Sequence, residues 1–109
     1  MAEEADLEEY FRRRVKELGG ERRRLKWLGV TGAPDDLVWW PKAPALVELK
    51  ARGKTPKGHQ AREHERLRTA FEVHVIDNKE DLDALFSRLI ALSAERCRGD
   101  AQPETPQHR

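Results

Sequence analysis

Apolar residues recur near the start of the chain as Leu7, Phe11, Val15 and Leu18, with Tyr10 widening the stripe. This helical period stops at Gly19-Gly20, where a left-handed cap can form. The pattern then shortens. Leu25-Lys26-Trp27-Leu28, entered from Arg22-Arg23-Arg24 and bounded by Gly29, alternates and predicts a first strand. Leu37-Val38-Trp39-Trp40 predicts a second, and Pro41-Lys42-Ala43-Pro44 a turn that returns the chain antiparallel into a third, Leu46-Val47-Glu48-Leu49-Lys50. Thr55-Pro56 reads as an N-cap and first helical position, opening a helix to about Ala70. Its few apolar residues, mainly Leu67 with the neighbouring Ala70 and Phe71, make it a surface helix over one side of the sheet. Phe71 to Ile76 alternates as a fourth strand. Asn78 then caps a last helix whose stripe is Leu82, Leu85, Phe86 and Leu89.

The predicted order is α-β-β-β-α-β-α, an α/β fold with a small mixed sheet flanked by helices. Periodicity ends near Ser93, and Pro103 and Pro106 follow, so residues 1–92 are expected to form the domain and 93–109 a disordered polar tail. A chain of 109 residues holds one domain with a single modest core.

Charge changes the picture locally. Charged residues are 38% of the chain but the net charge is +1, so attraction to a polyanion must come from clusters. From Tyr10 to Lys26 there are eight Lys or Arg against two Glu, and from Lys50 to Arg68 seven against two. Arg12, Arg13, Arg14, Arg22, Arg23, Arg24 and Lys26, or Lys54, Lys57, Arg62 and Arg66 near a helix N-terminus, could line a phosphate groove. For any single arginine, a solvated face with i,i+4 pairing is the more economical reading. Cys97 is the only cysteine, which excludes an internal disulfide and any cysteine-based metal framework. No apolar run approaches membrane-spanning length, and the acidic start lacks a secretory leader's basic and hydrophobic regions, so a cytoplasmic location is expected.

The candidate chemistry lies between Gly32-Ala33-Pro34-Asp35 and Glu48-Leu49-Lys50. Side chains alternate along a strand, so Glu48 and Lys50 share one face while Val47 and Leu49 enter the apolar layer. The antiparallel return sets Asp35 close to the Lys50 end. Hydrolysis of a phosphodiester needs charge neutralised on phosphoryl oxygens, an acidified water and in-line placement. Magnesium retains several waters, so Asp35, Glu48 and the Leu49 carbonyl would be a sufficient protein contribution, with Lys50 stabilising charge or orienting the water. Glu-x-Lys alone usually marks a solvated edge. Here the strand is apolar enough to be central, where an unpaired Glu is costly. Glu4 falls about 40° from the middle of the first helix's stripe, and Gln60 lies two turns before Leu67, so both are expected to face inward. The alternatives are a solvent-facing Glu4 at a frayed end and a Gln60 that caps a loop. Trp39 and Trp40 alternate faces, so one belongs to the core and the other to a DNA or dimer contact, the dimer being preferred. His59 and His64 are five apart and do not converge on a zinc ion.

Glu4-Ala5-Asp6-Leu7, Gly19-Gly20, Gly32-Ala33-Pro34-Asp35, Val47-Glu48-Leu49-Lys50-Ala51, Gly53-Lys54 and His59-Gln60 together resemble the VRR-NUC family of the PD-(D/E)XK nuclease superfamily, over roughly residues 3 to 90. The resemblance implies a restriction-endonuclease-like core. It also implies metal-site acids at Glu4, Asp35 and Glu48, a carbonyl ligand at Leu49, a catalytic lysine at Lys50 and the helix-borne glutamine at Gln60. Ala70 stands where a glycine often opens the last strand. The implied function is an Mg²⁺- or Mn²⁺-dependent endodeoxyribonuclease acting on branched or duplex DNA, in a bacterial cell or phage-infected host. The short chain fits the stand-alone type, and two coordinated cuts in a four-way (Holliday) junction match a homodimer. Alternatives are a flap or nicking nuclease, a non-catalytic DNA-binding module of the same fold, and an interaction domain with structural acids.

Overall fold

The computed structural model describes residues 3–99. Seven elements follow in order: α1 (Glu3–Glu17), β1 (Glu21–Arg24), β2 (Asp36–Trp40), β3 (Ala43–Leu49), α2 (Gly58–Arg68), β4 (Val73–Ile76) and α3 (Lys79–Gly99). The strands form one mixed sheet in sequential order, antiparallel from β1 to β3 and parallel between β3 and β4. The expected α-β-β-β-α-β-α order and mixed sheet are present.

Alternation decides which side of the sheet is apolar. Val38, Trp40, Ala45, Val47 and Leu49 point into a core closed by Leu7, Phe11 and Val15 of α1 and by Leu82, Leu85, Phe86 and Leu89 of α3. Phe86 is its centre, with ring centroids 5.5 Å from both Phe11 and Trp40. Trp40 also donates its indole N–H to the Leu18 carbonyl at 3.0 Å, tying the end of α1 to the sheet. Trp39 faces the other way, half-buried beneath the Arg23 guanidinium. The parallel β3–β4 pair requires a crossover, and α2 supplies it over the polar face that carries Glu48 and Lys50.

Several boundaries differ from those expected. The first strand is the arginine run Glu21–Arg24, not Leu25–Leu28. Its charged side chains suit an edge strand, and each finds a partner: Arg22 bonds Asp36 and Glu8, Arg23 stacks on Trp39, and Arg24 reaches Glu8. Beyond it, the Leu25 N–H still donates to the Asp35 carbonyl, but Gly29 and Gly32 take positive φ and the chain leaves the sheet as a loop. The β2–β3 turn is only Pro41-Lys42, with Lys42 at φ 65°, and Ala43-Pro44 already belongs to β3.

Thr55-Pro56 does not cap α2. The helix starts at Gly58, where the Gln60 side chain reaches back to the Lys57 N–H at 3.1 Å. Phe71 lies beyond that helix in a turn closed by its N–H bond to the Leu67 carbonyl, leaving β4 to begin at Val73. Asn78 does cap α3, accepting the Asp81 N–H at 2.7 Å. That helix runs past the expected boundary at Ser93 to Gly99 because its last turns are held: Ser93 is buried and Arg96 donates to the Lys42 carbonyl at 2.7 Å. The rest of the expected tail, 100–109, lies outside the described residues.

Candidate active site

Glu48 and Lys50 reach the polar face of the sheet because β3 is central and strictly alternating. Lys50 is fixed at the strand end by its N–H bond to the Ile76 carbonyl, 2.9 Å. Its ammonium donates to Gln60 Oε1 at 3.0 Å and lies 3.6 Å from Glu48 Oε2. The same Gln60 oxygen accepts the Lys57 N–H. One amide oxygen therefore closes the first turn of α2 and fastens it to the end of β3. Gln60 faces the sheet as its spacing predicts.

Glu48 is 5% exposed, and its Oε1 has no hydrogen-bond partner among the described residues. Burial raises its pKa, with Asp35 and Glu4 adding to the rise and Lys50 opposing it. Asp35 precedes β2. The register pairs Asp36 with Val47, so continuing it by one residue sets Asp35 beside Glu48, on the same face. Asp36, the neighbouring acid, faces the other way. It is 2% exposed and bonds the Arg22 guanidinium at 2.8 Å, with Arg24 at 3.8 Å, and burial lifts its pKa despite those cations. Of two consecutive aspartates, one is thus committed to structure and the other is directed at the Glu48 pocket.

Glu4 departs from expectation: it is exposed, not turned into the core. It lies in the first turn of α1, one turn before the stripe's first buried residue, Leu7. Its charge still bears on Glu48. Leu49 lies between Glu48 and Lys50 with its side chain in the core.

Among the described residues no three His, Cys, Asp or Glu side chains form a ready-made metal cage. The donor set still suits a hard cation that keeps much of its water. The orphaned, buried Glu48 oxygen and the mutual repulsion of Asp35 and Glu48 are both relieved by positive charge between them.

The two basic clusters separate clearly. The first is largely spent on internal pairs: Arg12 with Glu9, Arg13 with Glu17, Arg14 with Glu17 and Asp83, and Arg22 and Arg24 with Glu8 and Asp36. In the second, no carboxylate among the described residues pairs with Lys54, Lys57 or Arg62, all exposed around the start of α2. The residue that sequence reasoning passed over is His64. It is 1% exposed and sits one turn after Gln60 on the inward face of α2. The i,i+4 spacing from Gln60, which puts both on one face of α2, is the signal the sequence carries for it.

This arrangement has relatives. A solved structure described as a VRR_NUC domain superposes with a TM-score of 0.71 at 36% identity, covering 78% of this chain and 95% of that one. “Putative nuclease p44” of Acyrthosiphon pisum secondary endosymbiont phage 1 is 30% identical over 87 residues, 79% of this chain and 94% of that protein. No family model matches the chain. Fold and site define an α/β domain of nuclease architecture. The chain belongs to the VRR-NUC family.

Proposed function

We propose that the protein is a metal-dependent, structure-selective DNA endonuclease that works as a homodimer on four-way junctions. The observation that carries this reading is the convergence of Glu48, Lys50 and Gln60 beneath α2, with Asp35 in register alongside. The nuclease name of the phage relative supports the reaction class.

Asp35 and Glu48 would hold Mg²⁺ or Mn²⁺, with the Leu49 carbonyl as a third donor and Glu4 contributing from the rim. When bound, such an ion acidifies water and neutralises charge on phosphoryl oxygens. The chain's own residues supply the rest. Lys50, aimed by Gln60, directs a donor at the scissile phosphate and stabilises the charge that grows on it in the transition state. Glu48 Oε2, 3.6 Å away, helps hold that ammonium in place. Lys54, Lys57 and Arg62 give the backbone of a DNA strand an unpaired basic approach at the N-terminal end of α2, where the helix dipole also favours anions.

Incubation of the purified protein with labelled four-way junction, 5′-flap, single-stranded and duplex DNA, with and without Mg²⁺, tests the proposal. Symmetric junction cleavage by a dimer is expected. Cleavage of flaps or nicked duplex alone would move the substrate to other branched DNA, and salt-sensitive binding without cutting would make the protein a DNA-binding module.

A further inference from the structure

His64 combines complete burial with two ring nitrogens, Nδ1 and Nε2, that have no hydrogen-bond partner among the described residues. A buried imidazole left in that condition is destabilising, so its retention asks for a partner that is engaged in some other state of the molecule. The surroundings narrow the choice. Burial first, and then the positive charges of Arg68 and Lys50, depress the His64 pKa and keep the ring neutral, against a smaller opposing effect of Glu63. A neutral ring offers one N–H and one lone pair.

A backbone acceptor at Gly32 also opposes the fall, as a carbonyl would, without making a hydrogen bond to either ring nitrogen. Gly32 has φ +85°, and a Cβ there would meet Gln60 Cα at 3.0 Å and the His59 carbonyl oxygen at 3.1 Å. The turn therefore rests directly on the first turn of α2. Three residues later the same turn delivers Asp35, and its other side is held by the Trp27 indole N–H on the Pro34 carbonyl at 2.7 Å.

We propose that His64 is the positioning residue for Asp35: its ring N–H closes onto the Gly32 carbonyl when Asp35 and Glu48 share a divalent cation, locking the Gly32–Asp35 turn against α2. The proposal rests on the metal-site reading above and adds a latch that acts through the backbone, without contact to the cation.

The test uses the full chain with Mg²⁺ and Mn²⁺ as probes. Long-range ¹H–¹⁵N spectra of the imidazole in the wild type are expected to show one neutral tautomer whose N–H gains protection from exchange on adding Mg²⁺. Calorimetric titration with Mn²⁺ is expected to give about tenfold weaker binding in His64→Phe, which fills the space without a donor, and near wild-type binding in His64→Asn or His64→Gln. In cleavage assays the Phe variant should lower kcat at saturating DNA and leave KM for DNA unchanged. An imidazole spectrum indifferent to Mg²⁺ that demonstrably binds, or a Phe variant that titrates like the wild type, overturns the latch and leaves the metal site intact. A wild type that takes up neither ion overturns the metal-site reading and the latch with it.

Discussion

The Lys50 ammonium and the Gln60 side-chain oxygen meet at 3.0 Å, and that oxygen also accepts the Lys57 N–H that opens α2. Helix nucleation and the aim of the site's lysine thus share one atom. Gln60→Ala should lower cleavage about 10–100-fold through loss of lysine placement and destabilise the fold by about 0.5–2 kcal/mol through loss of the cap. Gln60→Glu keeps both acceptor bonds and should recover the stability. Chemical denaturation beside single-turnover cleavage separates the two effects; equal stability in all three proteins would contradict the shared role.

Glu48 makes stability depend on pH in a definite sense. Its pKa is raised in the folded state by burial and by Asp35, so between 4.5 and the folded value the native protein binds the proton that the unfolded chain has released. Stability is therefore lost as pH rises through that window. Glu48→Gln removes the effect: the variant should match the wild type in acid and exceed it at neutral pH without metal, by about 1 kcal/mol, or about 4–8 °C in Tm. Saturating Mg²⁺ should reverse the order, because only the wild type gains by binding. Thermal melts across pH with EDTA or Mg²⁺ measure this directly, and a variant less stable than the wild type under EDTA at pH 7 would refute it.

Arg22 and Asp36 form the other buried acid contact, at 11% and 2% side-chain exposure. Arg22→Ala leaves Asp36 charged and largely unpaired, since Arg24 stands at 3.8 Å. The expected cost is about 3 kcal/mol in urea unfolding, a large share of the stability of a domain this size. Replacing both residues together with apolar partners should restore much of it, and failure of Arg22→Ala to destabilise would show that Asp36 is solvated after all.

The core makes a simpler prediction. Phe86 is fully buried between Phe11 and Trp40, so Phe86→Ala should cost about 3–5 kcal/mol. A loss below 1 kcal/mol, read from the urea midpoint, would mean that α3 does not close the core.

Much of this was legible in the sequence, for physical reasons that differ by element. The stripes of α1 and α3 and the alternation of β3 are strong because each buries a whole face, and they correctly placed Val47 and Leu49 in the core and Glu48 and Lys50 outside it. The Arg22-Arg23-Arg24 strand was illegible. Its β conformation comes from pairing with β2 and from acids on α1 and β2, none of them local signals. The apolar Leu25-Lys26-Trp27-Leu28 run reads as a strand and is not one: Leu28 is 84% exposed in a loop shaped by glycines. For Glu4 the solvent-facing alternative holds, because helical phase says which way a residue points and not whether anything lies there. For His64, helical spacing from Gln60 gives the face of α2 it lies on, but not its burial; the Gly32 turn that packs on the start of α2 is a tertiary contact the sequence does not announce.

The central claim is that Asp35, Glu48, Lys50 and Gln60 together form a metal-dependent phosphodiesterase site. Its most direct test is single-turnover cleavage of a labelled four-way junction by the wild type, Asp35→Ala and Lys50→Ala, each with Mg²⁺ and with EDTA. Cleavage by the wild type with Mg²⁺, abolished by EDTA and reduced at least 100-fold in both variants, is the predicted result. Undiminished cleavage in Asp35→Ala, or wild-type cleavage that persists in EDTA, would contradict it.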